Sequence, residues 1–281
     1  MLPDYIVIGH ITRDIQHDGT IIPGGTVTYA ALTARNLGLR VGVITSVAED
    51  MEMGSVFDGI ELICWPAEDT TTFENIYTNG TREQYIQSVA PPLRPEHVPE
   101  KWYSAPLVHL GPIAMEVGEN LVDLFPQALI GVTPQGWMRS WDASGRVRHT
   151  VWTSAPHILA RADVLILSEE DVGGDLSLLQ SYLEMAKLAV VTDGWRGAVV
   201  YAPQGVRRLP AYYAEETDPT GAGDVFASAY LIALSEGSDP YAAARFANAV
   251  ASYSVEARGL SSIPTRTQAE NRMAQGLVRR S

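Results

Sequence analysis

The stretch Asp218-Pro219-Thr220-Gly221-Ala222-Gly223-Asp224 runs directly into Val225-Phe226-Ala227-Ser228-Ala229-Tyr230-Leu231-Ile232-Ala233-Leu234, and its reading decides the rest of the chain. A polar loop spaced by glycines feeds an apolar run rich in alanine and leucine, which predicts a buried helix opening near Gly221. Gly221 and Gly223 have no Cβ, so the backbone there can turn tightly and approach a ligand closely. The first N–H groups of such a helix lack intrahelical partners, and the macrodipole makes that end positive. Together these features form an anion cradle. Asp224 stands in the same cradle, where a carboxylate can cap the helix but also repels a bound phosphate. One role reconciles the two: a base that takes the proton of an attacking hydroxyl while the N–H groups hold the developing charge.

Composition narrows the classes. The chain has 281 residues, 46% hydrophobic and 19% charged, enough for a sizeable core in one α/β unit spanning 1–281. A net charge of −13 argues against a nucleic-acid partner, which would need clustered lysine and arginine. The lysines are Lys101 and Lys187, and no Gly-x-x-x-x-Gly-Lys-Ser/Thr occurs. A P-loop is thereby excluded, and phosphate must be held by arginine, backbone N–H groups and a metal. Cys64 is the sole cysteine, so there is neither a disulfide framework nor a cysteine zinc site. The opening residues lack a signal-peptide pattern and no run is long enough to span a bilayer, so the expectation is a soluble cytoplasmic chain without membrane contact.

The chain alternates buried-strand and helix patterns. Tyr5-Ile6-Val7-Ile8-Gly9 reads as an opening strand, followed by His10, Thr12, Arg13 and Asp14 at its carboxyl end. Pro23-Gly24-Gly25-Thr26 opens a helix over 27–37, stopped by Gly38. Further strands are expected at 41–45, 60–65, 107–110, 129–132, 164–167 and 189–192, with a helix over 116–125. Repeated βα alternation predicts a mostly parallel sheet covered by helices on both faces. Between 70 and 89 the pattern becomes two-sided and polar around Asn79-Gly80, a strong hairpin signal. His109, inside an apolar run, reads as a hydrogen-bonded core histidine. Ser168-Glu169-Glu170-Asp171 supplies oxygen ligands for a hard cation, or else a solvated acidic helix start. Arg139 follows a strand end and suits a substrate or phosphate contact as well as a surface salt bridge. Residues 198–201 and 206–209 read as an edge hairpin, and helices are expected over 240–256 and 265–278.

In this order the pieces resemble the ribokinase-like (PfkB-type) carbohydrate kinases. The resemblance implies a three-layer α/β/α sandwich with a small β-sheet lid contributed by residues 12–22 and 68–90. It makes Asp224 the catalytic base and Gly221, Ala222 and Gly223 the anion hole. Asp14 would bind sugar hydroxyls, with Gly24, Gly25 and Thr26 beside the sugar and Arg139 within reach of it. Thr192, Gly194 and Gly197 match a Thr-x-Gly-x-x-Gly nucleotide phosphate loop, and Thr220 and Asn248 match further nucleotide positions. Ser168 and Asp171 stand where relatives carry Asn-x-x-Glu to organise magnesium, and Asp218, Thr220 and the Gly259 region resemble a monovalent-cation site. Val27-Thr28-Tyr29-Ala30 replaces the usual Ala-Asn-x-Ala, which leaves the identity of the sugar open.

The expectation is therefore an ATP- and Mg2+-dependent kinase for a sugar, polyol or related small molecule. The lid would exclude water; its alternative role is a homodimer edge. The rival readings are a nucleoside kinase of the same fold and a catalytically weak sugar-binding or regulatory protein. A dinucleotide oxidoreductase fits poorly, because no Gly-x-Gly-x-x-Gly follows the first strand.

Overall fold

A computed structural model of the chain describes residues 2–16, 18–78 and 81–278. In chain order its strands and helices are β1 (Tyr5–Ile8), β2 (Thr12–Ile15), β3 (Ile21–Gly24), α1 (Thr26–Asn36), β4 (Val41–Ala48), β5 (Glu61–Ala67), β6 (Thr72–Thr78) and β7 (Thr81–Ser88). There follow β8 (Leu107–Leu110), β9 (Leu129–Val132), β10 (Arg139–Trp141), β11 (Val147–His149), α2 (Ala155–Arg161), β12 (Val164–Ser168), α3 (Leu176–Met185) and β13 (Ala189–Thr192). The chain closes with β14 (Ala198–Ala202), β15 (Gly205–Leu209), α4 (Ala222–Ser235), α5 (Pro240–Ser254) and α6 (Arg266–Gln275).

The central sheet has nine strands in the order β15-β14-β13-β12-β9-β8-β1-β4-β5. All pairings from β13 through β5 are parallel, whereas β14 and β15 fold back antiparallel as an edge hairpin. Parallel strands buried on both faces need uninterrupted apolar runs, and β1, β4 and β8 are buried along their whole length. On one face α1, α4 and α5 cover a core containing Val7, Val43, Phe226, Tyr230 and Val250. On the other, α2, α3 and several 3₁₀ turns cover Trp102, Phe125 and Tyr182, with Trp137 and Trp152 stacked at 5.1 Å. Helix α4 is buried at every position from Val225 to Ala233. Such all-round hydrophobicity belongs to a central helix, and α4 lies between α1 and α5.

A second sheet, ordered β3-β2-β6-β7, forms the lid. Its β2–β3 and β6–β7 pairs are antiparallel and its β2–β6 pair is parallel. The Asn79-Gly80 turn expected at its tip lies outside the described residues.

Two expectations need correction. No α-helix covers 116–125; the segment holds only a 3₁₀ helix, Glu119–Leu124. The Glu116 side chain instead folds back to accept the N–H groups of Ile113 (2.9 Å) and Ala114 (2.6 Å), and Met115 takes a left-handed φ of 61°. A buried carboxylate held by amides thus wins over helical spacing. The second is the hairpin β10–β11, which the sequence reading did not anticipate; its strands of three residues are too short to show alternation. No helix among the described residues is long and apolar enough to cross a membrane.

Candidate active site

Because the strands from β13 to β5 run parallel, their carboxyl ends share one edge, where open α/β sheets bind ligands. A cleft of about 800 Å³ lies there, between the lid and the start of α4. It brings together Asp14, Gly25, Thr26, Arg139, Asp171 and Thr192, then Gly194, Gly197, Asp218 and Asn248, and the whole of 220–224. Gly24 does not line it.

The floor is the N-terminus of α4. Gly221 is its N-cap with a left-handed φ of 76°, and no side chain caps the helix. A Cβ on Gly221 would sit 2.2 Å from Cδ1 of Tyr29, so both conformation and packing require glycine. Gly223 is different: a Cβ there meets nothing within 4 Å and would point into open space. The Ala222 N–H is engaged by the Pro219 carbonyl at 3.1 Å, so this turn does not offer all of its amides equally.

Asp224 sits in the first turn of α4, enclosed by protein but partly open to the cleft. Burial pushes its carboxyl up to about 6. A hydrogen bond from Thr26 and the Arg139 charge pull it back, while the Asp171 and Asp14 carboxylates push it further. A carboxylate titrating near neutrality is suited to accept a proton.

On the lid side, Asp14 receives the Thr12 hydroxyl at 2.8 Å. Gly24 makes room for it, since a Cβ there would lie 2.1 Å from the Asp14 carboxylate. Gly25, at φ 83°, brings the main chain round to start α1 with Thr26. Arg139 donates to the Ile113 carbonyl at 3.1 Å and lies over the Phe73 ring at 5.4 Å, joining β10 to the lid.

On the opposite side, Asp193-Gly194-Trp195-Arg196-Gly197 forms a tight turn between β13 and β14. Gly197 is required there, because a Cβ would fall 2.1 Å from the Leu209 carbonyl. Thr192 bonds the Leu167 carbonyl at 3.4 Å, and Arg196 pairs with Asp193 at 2.5 Å. Asn248 donates its amide to the carbonyls of Leu209 (3.1 Å) and Pro210 (3.2 Å), which fastens the end of β15 to α5. Asp218 accepts the N–H of Thr220 at 3.0 Å and of Gly259 at 3.3 Å. Burial raises its carboxyl, but these bonds and the Arg258 charge outweigh burial and leave it below the ordinary value.

The donor set suits a magnesium ion carried by phosphates better than one caged by protein. Among the described residues no three acidic, histidine or cysteine side chains converge on one point. Asp171 is already the reciprocal cap of its 3₁₀ turn, taking the Ser168 N–H (2.7 Å) and hydroxyl (3.0 Å) on one oxygen and Gln135 (2.9 Å) on the other. Magnesium normally keeps several waters and one or two carboxylates, which Asp171 and the adjoining Glu169 and Glu170 can offer.

The sequence reading missed Thr133 and Gln135, which line the cleft just after β9. The strand-end rule was applied after β9 but carried only to Arg139, passing over the two nearer positions. Tyr29, noticed only for its bulk, also lines the cleft, and its buried hydroxyl has no partner among the described residues.

A pfkB family carbohydrate kinase model matches residues 147–267, the part that carries Asp171, the 192–197 turn and Asp224. The cytidine kinase of Thermococcus kodakarensis is 28% identical over 255 residues, 83% of this chain and 89% of that protein. Among solved structures, a sulfate complex of a pyrophosphate-dependent kinase in the ribokinase family superposes with a TM-score of 0.80 at 23% identity, covering 95% of this chain and 99% of that one. A putative ribokinase II from E. coli in complex with ATP and Mg2+ superposes at 0.74 with 21% identity, covering 96% and 99%. The chain thus has the ribokinase-like fold over its length and is similar to the pfkB family carbohydrate kinases in sequence over residues 147–267.

Proposed function

We propose that the protein transfers the terminal phosphoryl group of ATP to a hydroxyl of a sugar, polyol or related small molecule. The observation that carries this is Asp224 itself: a carboxyl raised to about 6 at the foot of an uncapped, glycine-started helix, in a cleft of about 800 Å³. The acceptor hydroxyl gives its proton to Asp224 as its oxygen bonds to phosphorus and ADP departs. The amides around 221–223 hold the charge that gathers on the transferred group, in geometry fixed beforehand by the glycine turn. Asp14 accepts two acceptor hydroxyls, and Arg139 sets the ring against the lid. The turn at 192–197 with Thr220 and Asn248 frames the donor, and Asp218 ties this frame to the Gly259 loop. Asp171 would hold a magnesium ion through water, and the ion would supply charge neutralisation for the donor phosphates. The exposed Ile21 on the lid's edge strand β3 supports association of two chains through the lid.

A nucleoside acceptor is the second reading, favoured by the cytidine kinase likeness across most of the chain. The test is phosphorylation of a panel of sugars, inositols and nucleosides, with ATP and pyrophosphate each offered as donor. Turnover on one class names the acceptor; turnover with pyrophosphate alone replaces the donor assignment. No transfer to any member would leave only the binding-protein reading.

A further inference from the structure

The chain passes between the central sheet and the lid at 9–11, 25, 68–71 and 89–91, and the buried His10 sits where these passages meet. Its Nδ1 lies 2.7 Å from the Thr71 hydroxyl, on the passage into β6. Its Nε2 lies 3.1 Å from the Pro91 carbonyl, on the passage out of β7. The Thr71 oxygen also takes the Ala90 N–H at 3.0 Å, which ties those two passages to each other. On the passage from β3 into α1 the main chain packs so closely that a Cβ on Gly25 would lie 2.4 Å from the His10 carbonyl. The His10 N–H goes to the Glu116 carboxylate at 2.9 Å, and the same carboxylate holds the turn at Ile113 and Ala114. His10 and Thr71 are fully buried, and Glu116 nearly so.

The protons of this knot have one fully satisfied arrangement. A carbonyl only accepts, so Nε2 carries the hydrogen that points at Pro91. Burial pulls the ring below the ordinary histidine value against the Glu116 charge, so it is neutral and Nδ1 keeps its lone pair. The Thr71 hydroxyl therefore donates to Nδ1, while its oxygen receives Ala90. Removing either side chain's polar atoms strands the other's in a buried site, which is costly.

What the knot holds lies a few residues along. Arg13 donates its N–H to the Thr71 carbonyl at 2.9 Å, and from there β2 and β6 run in parallel with Asp14 opposite Phe73. Asp14 and Phe73 line the cleft; His10 does not. We infer that His10 is a positioning residue for the acceptor: it pins the lid's passages into one unit and so holds Asp14 and Phe73 in place over the cleft. The acceptor's identity rests on the kinase reading, whereas the pinning of the lid does not.

Two measurements decide it, on His10→Phe, which keeps a ring without nitrogens, and on Thr71→Val, which keeps the shape without the hydroxyl. Hydrogen–deuterium exchange should quicken by about tenfold or more across β2, β3, β6 and β7 and stay at wild-type rates in β1, β4 and β8. Thr71→Ser should exchange like wild type, and Thr71→Val decides the matter alone where His10→Phe does not fold. Unchanged lid rates overturn the inference, and so does an equal rise in lid and central sheet, the mark of general destabilisation. With whichever of ribose, myo-inositol or cytidine is phosphorylated, acceptor KM should rise about five- to tenfold, the range of one neutral hydrogen bond, with donor KM within about twofold of wild type. An unchanged acceptor KM, or an equal rise in both, overturns it as well. If nothing in the panel is phosphorylated, the kinase reading fails while the exchange rates still decide the inference.

Discussion

At Asp224, burial outweighs the hydrogen bond from Thr26, and the group titrates at about 6 against an ordinary value of 3.8. The folded form therefore binds more protons than the unfolded one between these two values. Stability contributed by the protonated group is complete below pH 4 and is lost as pH rises through 6, above which the ionised carboxylate opposes folding. Asp224→Asn removes that opposition. We expect the variant to be more stable than wild type at pH 7.5 by on the order of 2 kcal/mol, allowing for partial exposure, with the difference vanishing toward pH 4. Thermal melts at several pH values check this, and a difference independent of pH would show that desolvation is not the cause. This strained carboxylate was legible in the sequence as a contradiction, an acid standing in an anion cradle. The degree of strain was not, because it comes first from burial of the carboxyl in the fold and then from Asp171 and Asp14, far away in the chain.

The α4 N-terminus separates architecture from chemistry within two residues. Gly221→Ala forces a side chain into left-handed backbone and against the Tyr29 ring; we expect destabilisation of about 1–2 kcal/mol from the backbone alone, read as a lowered melting midpoint. Gly223→Ala meets no neighbour. It should melt like wild type while turnover falls by at least about tenfold, since in the proposed mechanism its methyl would occupy the space of the transferred group. If the two variants exchange these behaviours, the anion-hole geometry is wrong. At this scale most of the fold was readable. The strands at Leu107–Leu110, Leu129–Val132 and Ala189–Thr192 coincide with their apolar runs, because a strand buried on both faces leaves an unbroken signal. The 116–125 helix was misread because Glu116 is buried by pairing with amides, and spacing cannot reveal that.

Across the whole molecule, lid and cleft are joined through the hairpin the sequence did not show. Ile86 of β7 donates to the Gly145 carbonyl at 2.8 Å, Arg146 pairs with Glu83, and the same hairpin begins at Arg139 in the cleft. Gly145 has φ 81°, and a Cβ there would lie 2.3 Å from the Ile86 carbonyl. Gly145→Val should therefore undock the hairpin from the lid and raise acceptor KM by about tenfold, with donor KM changed by less than about twofold; steady-state kinetics in both substrates checks it, and an equal rise in both contradicts the coupling. Such links escaped the sequence because their partners are distant: Tyr5 and His109 lie 104 positions apart, His10 and Glu116 106, and Ala30 and Ser228 198. The motif proposed to be catalytic, by contrast, is contiguous in the sequence. Its direct test is turnover of Asp224→Asn beside its ATP affinity on the acceptor that the wild type phosphorylates. We expect ATP to bind as in wild type and kcat to fall by a factor on the order of 10²–10⁴, whereas turnover near the wild-type rate would contradict the assignment of Asp224 as the base.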